Sequence, residues 1–178
     1  MTKLRKWHVA AIAAAIAALA GVALAAPFGA SGVGINVIEV RTQTSLNSTN
    51  STSYVNVPGG ANADVTVDEG NYIRVRFAGE SRCGGEDSSP QTCSMRIVLS
   101  PSAAVNPKSG LDLAFDSFDG HCCSDPTPEA HAMEWISEKL AAGTYTVKTQ
   151  YAVSTPNISF QLDDWTFTAE EVEALPSD

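Results

Sequence analysis

Between Gly143 and Ala169 the chain runs GTYTVKTQYAVSTPNISFQLDDWTFTA, and side-chain character there switches with almost every residue. Tyr145, Val147, Thr149, Tyr151 and Val153 share one parity; Thr146, Lys148 and Gln150 hold the other. A period of two marks a strand with one buried and one wet face. Ile158, Phe160 and Leu162 continue the alternation, and Trp165 and Phe167 resume it on the opposite parity. The phase changes at Asp163-Asp164, which lacks the glycine that a tight primed hairpin turn favours. A β-bulge that keeps the large side chains pointing inward is therefore predicted at this dipeptide. Trp135 and Trp165 also place the aromatic weight of the core in the C-terminal half.

The N-terminus predicts a secretory signal peptide over residues 1–25. Lys3, Arg5 and Lys6 form a basic region, Val9 to Leu24 is apolar and alanine-rich, and Ala23-Leu24-Ala25 fits the small-x-small cleavage rule, with cleavage after Ala25. The apolar run is short for a retained membrane anchor, and no spanning run follows it. Of 178 residues, the 25 of the leader leave 153, enough for one domain and one core. The leader holds three of the 11 basic residues and none of the 20 acidic ones, so the remainder carries 8 against 20, a formal charge of −12. That balance repels nucleic acid and anionic lipid, and it favours solubility, cations or basic partners.

Residues 26–34, APFGASGVG, are predicted as a flexible linker, residues 35–169 as the folded domain, and residues 170–178 as an acidic tail. Candidate strands are Ile35–Val40, Tyr54–Val57, Asp64–Val67, Tyr72–Phe77, Met95–Ser100 and Leu111–Asp116. Pro58-Gly59-Gly60 and Glu69-Gly70-Asn71 supply turns. Gln43–Ser53, Ala78–Cys93, Pro101–Gly110 and Phe118–Pro128 are polar or Gly/Ser/Pro-rich and predicted as loops. Asn47-Ser48-Thr49, Asn50-Ser51-Thr52 and Asn157-Ile158-Ser159 are glycosylation sequons, which matter only where the source modifies asparagine. His131–Leu140 is ambiguous, because Ala130, Met133, Ile136 and Leu140 fall roughly on one helical face. The short strands at regular spacing around it favour a strand there, and an all-β antiparallel sandwich or barrel of about 8–10 strands overall.

Cys83, Cys93, Cys122 and Cys123 are an even set in an exported chain, which implies disulfides. If neighbouring strands alternate in direction, the loops holding these cysteines emerge at one end of the sandwich. Cross-bridges from Cys83 and Cys93 to the Cys122-Cys123 pair are then favoured, because pairing Cys83 with Cys93 leaves a strained vicinal bridge or two free thiols. A zinc site using His121 with the cysteines is the alternative, but the spacings fit no compact zinc pattern.

No nucleophile elbow, zincin motif or phosphate-cradling glycine loop is present. His121 and His131, the two histidines beyond the leader, have no recognisable catalytic context. Asp163, Asp164 and Trp165 pair acids with an aromatic, as a glycosidase or sugar-binding site does. Adjacent strand residues point to opposite faces, so the two acids converge only if the bulge redirects one. Asp112, Asp116 and Asp119 are candidate Ca²⁺ ligands, with Asp112 and Asp116 on one strand face by parity, although EF-hand spacing is absent.

The segments LAAGTYTVKTQYAV and LDDWTFT, with SGLDLAFDSFDG and EAHAMEW, resemble small secreted, uncharacterised proteins of high-GC bacteria. That resemblance spans roughly residues 54–171. It implies a jelly-roll β-sandwich distantly similar to the C1q and tumour-necrosis-factor type, a strand at His131–Ser137, and a homo-trimer. It brings no catalytic residue with it. The expected protein is thus a disulfide-stapled, secreted, non-catalytic sandwich that binds an extracellular glycan or protein and needs no cofactor. The competing expectations are a carbohydrate-active hydrolase using Asp163 or Asp164, and a structural jelly-roll oligomer.

Overall fold

Each alternating run becomes a strand. The structure is a computed structural model, and it describes residues 35–86, 88–101, 105–106, 113–120 and 127–174. The predicted leader and linker, Asp112, His121, Cys122, Cys123 and residues 175–178 lie outside the described residues. The strands are β1 (Ile35–Gln43), β2 (Asn47–Thr49), β3 (Val55–Asn56), β4 (Asn62–Val67), β5 (Tyr72–Gly85), β6 (Gln91–Ser100), β7 (Val105–Asn106), β8 (Leu113–Phe118), β9 (Glu129–Ile136), β10 (Gly143–Val153) and β11 (Ile158–Val172). No helix is found among the described residues.

All pairings are antiparallel. One sheet runs β1-β11-β5-β9, with β2 also on β11; the other runs β3-β10-β6-β7, with β4 also on β10 and β8 on β6. β1 and β2 lie end to end along β11, β3 and β4 along β10, and β7 and β8 along β6. Each sheet is therefore four positions wide. Counted as passes of the chain, the first pairs with the last, the second with the next to last, and so on to β6 with β7 and β8. This nested wrapping of one long antiparallel ribbon is the jelly-roll arrangement.

The core forms where the two inner faces meet. On β5, Ile73, Val75, Phe77, Gly79, Ser81 and Cys83 are buried in strict alternation. On β11, Ile158, Phe160 and Leu162 are buried, then Trp165, Phe167 and Ala169. The register against β5 shifts between Asp163 and Thr166, and Asp164 takes φ 44°. This is the predicted bulge, and the extra residue returns Trp165 to the interior. Aspartate is among the residues that tolerate the left-handed region, whereas a β-branched residue is an outlier there. Asp164→Gly is accordingly expected to preserve or raise the melting temperature. Asp164→Val is expected to cost roughly 1–2 kcal/mol, measured by urea titration.

Two sequence expectations fail informatively. Ala78–Gly85, predicted as loop, is strand, because β5 continues its alternation with small residues. Ser81 lies opposite Leu162 and Cys83 opposite Phe160, and a Cβ on Gly79 would sit 2.7 Å from Trp165 Cβ. Small side chains on β5 thus make room for large ones on β11. The supposed acidic tail is likewise strand through Val172, with Glu170 and Glu171 both buried. Glu170 pairs with Arg74. Glu171 Oε1 accepts from the Asp68 N–H at 2.6 Å and from Asn71 Nδ2 at 2.9 Å, which fastens the turn between β4 and β5.

The sheets are also tied to each other. Tyr151 of β10 donates to the Ser48 carbonyl of β2 at 3.1 Å, and burial raises the pKa of its phenol. Cys83 of β5 and Cys93 of β6 form a disulfide with Cα atoms 5.9 Å apart. The predicted cross-bridges to Cys122 and Cys123 are therefore not formed by these cysteines. Continuing β5 to Gly85 and starting β6 at Gln91 leaves a short crossing between sheets, so the two inward cysteines already face each other.

Candidate functional site

Near the disulfide, the free edges of the two sheets, β8 and β9, flank a cleft of about 460 Å³. That volume lies within the usual range of small-ligand sites. Asp116 of β8 and Glu129 and His131 of β9 supply polar groups to its lining, and Ser81 of β5 lies behind them, bonded to Asp116. Phe115 and the disulfide cysteine Cys83 contribute to the wall.

Asp116 is turned inward by an irregularity in β8. Ala114 pairs with Ser94 but Asp116 with Cys93, so one residue is added between them and parity is broken. The Asp116 carboxylate is then held at both oxygens. Ser81 Oγ donates to Oδ2 at 2.6 Å, and the Ser117 N–H donates to Oδ1 at 2.6 Å. The first of these bonds joins the two sheets. His131 stands opposite, its ring 5.6 Å from that of Phe115. His131 Nε2 lies 4.0 Å from Asp116 Oδ1 and 3.8 Å from Glu129 Oε2. This nitrogen is buried and makes no hydrogen bond among the described residues.

The arrangement defines what the cleft can do. Ser81, only 2 % exposed, gives its proton to the acid and not to the imidazole, so serine, histidine and aspartate do not form a nucleophile–base–acid relay. Three acids, Asp116, Asp119 and Glu129, contribute to the lining. Such a lining accepts hydrogen bonds from a donor-bearing or cationic group, and charge-assisted bonds of this kind are the stronger ones.

The other predicted sites fare differently. Asp163, Asp164 and Trp165 do not converge. The Asp163 carboxylate accepts its neighbour's N–H at 3.0 Å, Asp164 is exposed, and Trp165 is 1 % exposed and stacked on Phe77 at 5.6 Å. The bulge redirects the tryptophan inward without bringing the two acids together. Among the candidate Ca²⁺ ligands, Asp112 lies outside the described residues, Asp116 turns into the cleft, and Asp119 is exposed. The described residues contain no group of three histidine, cysteine or acidic side chains that could hold a metal ion. Within β8 the added residue breaks the alternation between Ala114 and Asp116. Ser81 and Glu129 were not singled out in the sequence; His131 was considered there and set aside for want of a catalytic context, although it shares its parity with Met133 and Trp135, which marks it as inward-facing.

No protein-family model matches the chain, and no curated protein matches it. Among solved structures it is similar to the dimeric latent PorU of Porphyromonas gingivalis, at 8% identity and a TM-score of 0.38, over 82% of this chain and 14% of that one. No helix among the described residues is long and apolar enough to cross a membrane.

Proposed function

We propose that the chain is a secreted, non-catalytic jelly-roll module that binds a basic segment of an extracellular protein in the cleft between β8 and β9. The observation carrying this reading is the Asp116 carboxylate, fixed by two donors and facing a cleft shared with Asp119, Glu129 and His131. The formal charge of −9 over the whole sequence favours the approach of a cation. The disulfide suits an oxidising compartment, in line with the leader that the sequence predicts over residues 1–25. The hydrolase alternative loses its support, because Asp163 and Asp164 do not face a common space.

The test is isothermal titration of the processed protein with a lysine- and arginine-containing peptide, beside a panel of neutral oligosaccharides. Saturable peptide binding that weakens with salt is expected, with Asp116→Asn reducing affinity about tenfold. Glu129→Gln, at a more exposed position, should reduce it by about threefold. Binding of a neutral sugar that survives Asp116→Asn, or failure to bind the peptide, would overturn the reading.

A further inference from the structure

The sheet holding β9 ends there: among the described residues β9 pairs with β5 alone. Natural sheets blunt such edges with charged side chains, lysine above all, and with proline, bulges or very short strands. β9 carries two glutamates, Glu129 and Glu134, but no lysine, proline or bulge. It is eight residues long, EAHAMEWI, and pairs with β5 without a register shift. We propose that β9 is a β-addition surface for a second copy of this chain, which joins antiparallel across a two-fold axis at Met133.

The backbone sets the parity of the joint. Ser137 N–H donates to the Ile73 carbonyl at 2.8 Å, so the odd-numbered residues of β9 direct their backbone groups toward β5. In an antiparallel ladder the alternate residues then face the other way. Ala130, Ala132, Glu134 and Ile136 therefore present their N–H and C=O groups to the free edge. Two copies can pair only with these residues opposite one another.

Sequence decides between the registers that satisfy this rule. Centring on Ala132 places Ile136 against Pro128 of the second copy, which has no N–H to give. Centring on Glu134 puts two glutamates directly opposite, a destabilising pair. Centring on Met133 sets Ile136 against Ala130 and Ala132 against Glu134, in both directions, with about eight backbone hydrogen bonds at two per pair. It also covers Ile136, which is 53 % exposed and one of three large exposed apolar side chains among the described residues. The strand is thus self-complementary in hydrogen bonding and apolar contact, and this register sets no two glutamates directly opposite, as an isologous dimer requires.

The experiment is sedimentation velocity on the processed protein from micromolar to millimolar concentration, with hydrogen exchange at both ends of that range. The expected mass rises toward twice the monomer, and the amides of Ala130, Ala132, Glu134 and Ile136 gain protection as it does. Ala132→Pro removes one edge N–H without touching the β5 ladder, and it should hold the protein monomeric. Ile136→Lys, at an exposed position, should do the same and covers the case in which the proline variant fails to fold. A monomer at every concentration, a trimer, or a dimer that survives both substitutions would overturn the proposal.

Discussion

Replacing Trp165 by alanine is expected to lower the unfolding free energy by about 3–5 kcal/mol, the usual cost of deleting a buried tryptophan. Trp165 stacks on Phe77, whose ring also meets Phe115 edge-on at 5.7 Å. Its backbone and Cβ lie directly over Gly79. That glycine has no side chain to move into the space, so the cavity cannot collapse cheaply. The loss is large against the ~5–15 kcal/mol available to a typical domain. Urea titration should show a lower midpoint at an unchanged slope. Trp165→Phe should cost much less, because it keeps the ring stack and because the indole Nε1 has no partner among the described residues. Equal losses in the two variants would mean that the indole makes a bond the packing argument omits.

Removing the disulfide by Cys83→Ser with Cys93→Ser is the second large effect. The bridge spans a sequence separation of 10, and a loop of that size stabilises by about 3 kcal/mol in the chain-entropy model. For a chain of this length the melting temperature should fall by roughly 6–12 °C. The consequences should concentrate at one end of the sandwich. The Ser81–Asp116 bond and the Phe115 contacts lie there, so peptide affinity should fall along with stability. Trp165 and the bulge are anchored by the β5–β11 ladder, and amide protection there should persist at temperatures below the transition.

How legible this architecture is depends on side-chain size. Where large and polar residues alternate, as in β10 and in β11 around its bulge, the strands and even the phase change at Asp163-Asp164 are plain in the sequence. The second half of β5 is not, because Gly79, Ser81 and Cys83 are buried by virtue of being small. Their partners Trp165, Leu162 and Phe160 lie some eighty residues further along the chain. A composition rich in glycine and serine resembles a loop until its neighbour is known. The same blindness misplaced the disulfide, since Cys83 and Cys93 were assigned to one long loop and not to the ends of two facing strands. Glu170 and Glu171 show the converse case: acids at a chain end suggest a solvated tail, yet both are buried, with Arg74, Asn71 and the Asp68 N–H as their partners. The cleft was hidden for a related reason. Its inward acid, Asp116, depends on one added residue in β8, and the serine that holds that acid, Ser81, came from the stretch that looked like loop.

The claim on which the account rests is that β5 and β6 face each other across the core and are joined there through Cys83 and Cys93. Trypsin cuts after Arg82 and Arg96, which places both cysteines on the single peptide 83–96, while Cys122 and Cys123 fall between Lys108 and Lys139. Mass spectrometry of an unreduced, alkylated digest should therefore find peptide 83–96 alone, unalkylated and lighter than its reduced form by two hydrogens. Finding it covalently attached to the peptide that carries Cys122 and Cys123 would contradict the facing of the two strands described here.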